Sequence, residues 1–296
     1  MKLKTVLATA LAALLVTGAS GCASPAPTPA VDVVTTTNVW ADITQTIGGE
    51  NLTVQAILTN PNQDPHSYEA SARDELLVSK AKLVIAACNS SDAFIKQLVK
   101  TETNLLCLDT RADSTANPHI WYNLGLTYGA AQDIRTALAK IKPSDEANYT
   151  ANFETFSAGL KKLGDSIANP GTVISEAIKN RTFTAVESVA NDLFFEMGLT
   201  DVTPESVQQA GLNETDLSPV ELRDLQKATA KAGLFSYNSS QLSAQSKTML
   251  AWLKSDDKLP YSVGFSEQLP EGLDYLPWMQ YNVNSAYSAL TGIVID

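Results

Sequence analysis

Histidine occurs only twice in the 296 residues, at His66 and His119, and each stands directly after a proline: Asp64-Pro65-His66 and Asn117-Pro118-His119. A neutral imidazole in a loop beyond a strand is a good nitrogen ligand for a transition metal, provided a neighbour orients its second ring nitrogen. The preceding proline restricts the backbone, so the ring arrives partly positioned. Taken singly, a loop histidine is more often a surface or packing residue, and that reading stays open for each. No HExxH or GxSxG motif accompanies them, so neither a metalloprotease helix nor a serine-hydrolase elbow is on offer.

These loops need elements to hold them. "VDVVTTTN" and "LTVQAIL" read as strands on either side of the helix "VWADITQTIGGE". After the His66 loop come a helix over 71–80, a strand over 83–87, a helix near 92–100 and the strand "LLCLD". Successive β-α units imply a parallel sheet with helices on its faces, and ligand loops beyond the carboxyl ends of its strands. The helix "GLTYGAAQDIRTALAKI" follows, stopped by Pro143. "SDEANYTANFETFSAGLKKLGDSIA" then spaces Tyr149, Phe153, Phe156, Leu160, Leu163 and Ile167 by fours and threes. That is one apolar stripe on a helix of about 25 residues, roughly 37 Å long. From "RTFTAV" onward the alternation resumes, through "SVANDLFFEMGL", "SPVELRDLQKATAKA", "GLFSY", "SAQSKTMLAWLKSD" and "YSVGF" to a last helix, "YLPWMQYNVNSAYSAL". The expected architecture is α/β, with two Rossmann-like lobes of parallel sheet joined by one long helix. The N-terminal lobe is placed over 32–142, the linking helix over 143–169 and the C-terminal lobe over 170–296.

The chain opens "MKLKTVLATALAALLVTGASGCASPAPTPA". Lys2 and Lys4 precede an apolar run from Val6 to Val16 that is too short to span a bilayer comfortably. Ending in "ASGC", this segment resembles the bacterial lipoprotein signal. The resemblance implies that residues 1–21 are a signal peptide, that Cys22 is lipidated, and that residues 22–31 form a stiff, extended tether. An ordinary cleaved signal with an incidental cysteine is the alternative. Removing residues 1–21 takes away two lysines, leaving 19 basic residues of the original 21 against 32 acidic ones, a net charge of −13. Such a balance argues against nucleic acid and anionic headgroups and suits a cation-attracting field. In an exported chain, Cys88 and Cys107, near the ends of two successive strand-like runs, could pair as a disulfide. Two buried free thiols is an equal reading.

Four segments together carry a resemblance. "NQDPHSYEASARDELLVSKAKLVI" and "NPHIWYN" are similar to the first two metal-ligand segments of the bacterial zinc and manganese substrate-binding lipoproteins. These are ABC-transporter solute receptors whose two lobes are joined by one long helix. "VESVANDLFFEMGL" resembles their third segment, where histidine or glutamate precedes a helix ending in Gly-Leu, and "VGFSEQLPEGLDYLPWM" resembles the fourth, where an acidic residue follows a strand. The resemblance runs from about Val31 to the C-terminus. It implies a metal site built from His66, His119, Glu187 and Glu267, and a monomer that hands its ion to an ABC permease from the extracytoplasmic face of the membrane. The histidine-rich acidic loop of many zinc members is absent, and zinc-selective relatives commonly have histidine where this chain has Glu187.

Two imidazoles and two carboxylates carry a charge of −2, which a divalent cation balances. The set suits tetrahedral Zn²⁺, and Mn²⁺ if the carboxylates bind bidentately; the Irving–Williams order puts zinc first. Asp64 and Glu69 are expected to tie down the loop or orient the ring, or to be plain solvated acids, and Trp121 is expected to pack beside the cleft. A lipid-anchored metallohydrolase and a surface adhesin with an incidental metal are the alternatives from other classes.

Overall fold

The computed structural model describes residues 31–101, 103–113, 116–213, 215–255 and 261–295. The signal peptide, Cys22 and nearly all of the tether lie outside the described residues. The first half of the chain runs β1 (Val33–Thr37), α1 (Asn38–Gly48), β2 (Val54–Leu58), α2 (Ala72–Lys80), β3 (Leu83–Ala86), α3 (Ile95–Leu98), β4 (Leu105–Cys107) and α4 (Leu124–Ile141). A long helix, α5 (Glu146–Ala168), leads on to α6 (Thr172–Ala177). The second half follows as β5 (Thr182–Ala185), α7 (Asn191–Glu196), β6 (Thr200–Asp201), α8 (Glu205–Leu212), α9 (Pro219–Thr229), β7 (Leu234–Asn238), α10 (Ala244–Ser255), β8 (Ser262–Phe265) and α11 (Tyr275–Thr291).

Two four-stranded sheets result among the described residues, ordered β2-β1-β3-β4 and β6-β5-β7-β8, with every pairing parallel. The two orders are the same path run twice. Each sheet therefore delivers the loops after its strands to one edge, and the two edges face each other across the cleft. The strands read as unbroken apolar and threonine runs because both faces are covered: all five residues of β1 are buried.

The long helix follows its stripe. Tyr149, Phe156, Leu160, Leu163 and Ile167 are buried, and Phe153 is partly so. At 23 residues α5 is two shorter than expected, because Pro143–Asp145 forms a separate 3₁₀ turn ahead of it. It packs against α1 and α4 on one side and α11 on the other. One apolar cluster consequently runs from Val33 and Ile85 of the first sheet, through the α5 stripe, to Phe183 and Val263 of the second. The outer face of each sheet has its own smaller cluster, around Val34 and Phe94 in the first and around Phe235 and Met249 in the second.

Three local expectations differ. The helix foreseen near 92–100 is a 3₁₀ turn at Ser90–Asp92 plus the four-residue α3. The Asp92 carboxylate turns back to accept the N–H groups of Ala87 and Cys88, which competes with helix propagation. The helix foreseen at 188–199 is shorter, spanning Asn191–Glu196. The elements β6 and α8 were not foreseen, since a two-residue strand has no readable alternation.

Candidate metal centre

Both histidines sit in the same local device. In each, an Asx side chain two residues earlier accepts the histidine backbone N–H: Asp64 Oδ1 takes that of His66 at 2.8 Å, and Asn117 Oδ1 that of His119 at 3.2 Å. With proline between them, this is an Asx turn with its middle residue restrained. Asp64 also accepts the Ser67 hydroxyl through Oδ2. Just downstream, Asp74 forms a capping box with Ser71 at the start of α2 and accepts the Tyr68 hydroxyl at 2.6 Å. The His66 loop is thus pinned at both ends by short acids.

The second nitrogen of His119 is oriented across the cleft. Asn117 donates from Nδ2 to the Ser188 carbonyl and to Asp192, so its Oδ1 is the acceptor that meets His119 Nδ1 at 2.9 Å. Nδ1 therefore carries the proton and Nε2 presents its lone pair to the cleft. Complete burial and the neighbouring His66 push the His119 imidazole well below the usual histidine range, which keeps it neutral and ready to ligate. Trp121 packs edge-on to the His119 ring at 5.3 Å between centroids, buried as expected. Asp92 is fully buried nearby. Burial raises its pKa, while bonds from the Thr36 hydroxyl and the Ala87 and Cys88 N–H groups, and the charge of His66, pull it back.

His66, His119 and Glu267 come together. One donor atom of each lies within 4.8 Å of the others. The two Nε2 atoms are 3.5 Å apart, and each lies 3.8 Å from a different oxygen of Glu267. Two nitrogens bound tetrahedrally at about 2.05 Å would be about 3.3 Å apart. The nitrogen pair is therefore at ligating distance already, and the carboxylate is a few tenths of an ångström too far out. Glu187 lies outside this trio but lines the same cavity of about 360 Å³, together with Asp64, Asn238 and the other three. Its carboxylate is turned to the Asn238 N–H, 3.1 Å away, and to the Ser243 hydroxyl. Burial raises its pKa, and those two bonds act against the rise. Glu69 has no part in the cluster.

Residues that do no ligating clamp the two halves together. Tyr122, three after His119, donates its hydroxyl to the carbonyl of Ser266, one before Glu267, at 2.8 Å. Asn38 exchanges two bonds with the backbone of Leu269. Gln241 reaches the carbonyl of Asn62 and Gln268 that of Gln63. Cys88 and Cys107 form a disulfide joining the ends of β3 and β4 on the His119 side. The aspartate or asparagine before each Pro-His pair was visible in the sequence; the reach of Asn117 and Tyr122 across the cleft was not.

Two matching parallel lobes clamped around a nitrogen-and-carboxylate cluster define a two-lobed α/β binding-protein fold. The chain belongs to the family described as the zinc-uptake complex component A, periplasmic, which matches residues 33–289. It is similar to the manganese ABC transporter substrate-binding lipoprotein PsaA of Streptococcus pneumoniae, at 29% identity over 185 residues, covering 55% of this chain and 59% of that protein. It is also similar to the zinc-binding protein AdcA of Streptococcus pyogenes serotype M3, at 21% identity over 292 residues, covering 86% and 55%. The matches thus span little more than half the length of these curated relatives. Among solved structures, the periplasmic zinc-binding protein TroA of Treponema pallidum shares the fold, with a TM-score of 0.73 at 17% identity over 88% of this chain and 98% of that one.

Proposed function

We propose that this protein is an extracytoplasmic receptor that captures one divalent metal ion, Zn²⁺ in the first place, between His66, His119, Glu187 and Glu267, and delivers it to an ABC permease. The observation that carries this reading is the trio of His66, His119 and Glu267, with its imidazole nitrogens 3.5 Å apart in a buried cleft. Glu187 supplies the fourth donor by turning from the Asn238 N–H into the cavity that it already lines. Two neutral rings and two carboxylates then balance the charge of the ion. With all four positions filled by protein, no coordination site is left for an activated water, so the role is capture rather than hydrolysis. Mn²⁺ is the alternative ion, since relatives are named for either metal. Anchoring through a lipidated Cys22 would hold the receptor at the membrane beside its permease, and the reading takes the receptor to be a monomer.

Metal content decides it. The purified chain, stripped and dialysed against equal buffered Zn²⁺ and Mn²⁺, should retain one equivalent of zinc, and His66→Ala should retain none. One equivalent of manganese would reverse the transported ion and leave the site standing. Absence of tightly held metal would overturn the site. Turnover of ester or peptide substrates by the zinc form would favour a metallohydrolase instead.

A further inference from the structure

The third strand of each sheet leads into the same three residues. Asn89-Ser90-Ser91 follows β3 after Ala87 and Cys88, and Asn238-Ser239-Ser240 begins at the last residue of β7. The two strands occupy the same place in the two sheets, third in each order. Their turns are built alike. Asn89 Oδ1 accepts the Ser91 N–H at 2.9 Å and the Ser91 hydroxyl at 2.7 Å. Asn238 Oδ1 accepts the Ser240 N–H at 3.1 Å, the Ser240 hydroxyl at 2.8 Å and the Gln241 N–H at 3.0 Å. With the oxygen committed to the turn, each amide nitrogen points at the loop after the next strand. Asn89 Nδ2 donates to Asp109 and to the Pro118 carbonyl, directly before His119. Asn238 Nδ2 donates to Glu267 Oε1 at 2.6 Å.

We infer that the two Asn-Ser-Ser turns are one positioning device used twice, and that the Asn238 copy sets the metal preference of the cleft by weakening one oxygen of Glu267 as a donor to the ion. The inference rests on the reading of the cleft as a divalent-metal site. Asn238 is 3% exposed and stands on the strand between those that lead to Glu187 and Glu267. Its backbone N–H holds Glu187 while its side chain holds Glu267. Both oxygens of Glu267 border the nitrogen pair, each 3.8 Å from one Nε2, and the amide bond draws on Oε1 and weakens it as a metal donor. One oxygen from Glu267 keeps the coordination number near four, which suits Zn²⁺; a bidentate Glu267 would raise it, which suits Mn²⁺.

The test compares the purified full chain with Asn238→Ala and Asn238→Asp. The aspartate keeps an oxygen for the Ser240 turn but has no amide proton to give Glu267, so it separates loss of the bracket from loss of the turn. Zn²⁺ and Mn²⁺ affinities are measured by competition, and the Co²⁺-loaded forms by visible ligand-field absorption. The expected result is a fall of about tenfold in the Zn²⁺-to-Mn²⁺ affinity ratio, together with a weakening of the intense bands of four-coordinate cobalt. A variant that is merely less well folded would lose both metals together and leave the ratio unchanged. If both variants keep the ratio and the cobalt spectrum of the parent, the inference is overturned while the receptor reading survives. If the parent binds none of the three metals, both fall.

Discussion

Asn117 and His119 are joined twice: one amide oxygen accepts both the backbone N–H and the Nδ1–H of the same histidine, at 3.2 and 2.9 Å. The amide nitrogen of Asn117 meanwhile reaches the carbonyl of Ser188, next to Glu187. A single side chain thus fixes the tautomer of one proposed ligand and ties it to the loop that carries another.

Asn117→Ala should lower metal affinity by about ten- to a hundredfold, the usual cost of losing the hydrogen-bond partner of a ligating imidazole. Asn117→Asp keeps an acceptor at Nδ1 and should lose less, although it gives up the bond to Ser188. Titration of both variants against a competing chelator checks the order. Equal losses would mean that Asn117 acts by joining the lobes and not through the ring.

Asp42, on α1, accepts the N–H of Tyr275 at the first turn of α11, at 2.9 Å. Burial raises its pKa to about 6, with the Tyr275 bond acting against this and the charge of Asp274 adding to it. An acid with a raised folded pKa contributes stability that is fully present below its unfolded value, near 3.8, and is lost as the pH rises through the folded one. Asp42→Asn keeps an acceptor and removes the charge. The metal-free variant should therefore be as stable as the parent near pH 4 and more stable by about 1–2 kcal/mol at pH 7, allowing for solvent screening. Chemical denaturation at both pH values reads the difference. A gap independent of pH would refute the assignment.

Cys88 and Cys107 lie 19 residues apart in sequence. Closing a loop of that size is worth about 3 kcal/mol by chain entropy. The double variant Cys88→Ala with Cys107→Ala should lose about that much unfolding free energy relative to the oxidised protein. Intact mass should find the native chain two hydrogens lighter than its reduced form. Equal stability of the oxidised and double-variant proteins would show that the bond contributes nothing.

The parts of this architecture that repeat over many residues were legible in advance. The β-α alternation and the α5 stripe could be read because periodicity accumulates over a window, and the helix came out within two residues of its expected length. The two Asx-Pro-His turns were legible because proline and a short polar side chain act within three residues. What stayed hidden was held by single bonds between distant segments. Tyr122 and Ser266 are 144 residues apart, and nothing near either announces the other. The orientation of Glu187 was hidden for the same reason, since it depends on a backbone N–H 51 residues away. The two Asn-Ser-Ser turns were on display as a repeated tripeptide, but three residues recur by chance too often to be noticed without the shared strand order.

The continuous apolar cluster through α5 and the bonds across the cleft hold the two halves of the proposed site together, with the imidazole pair at ligating distance and only the carboxylates left to adjust. A receptor that must first close pays for closure, and its apparent affinity is diluted by the fraction of molecules already shut. On the proposed reading little of that cost falls on closure here, and the rearrangement left is the turn of Glu187 from the Asn238 N–H and a small approach of Glu267. The cost reappears at the other end of the cycle. A cleft held shut by its own bonds lets go slowly, so on the proposed reading fast unloading would need a partner that opens it.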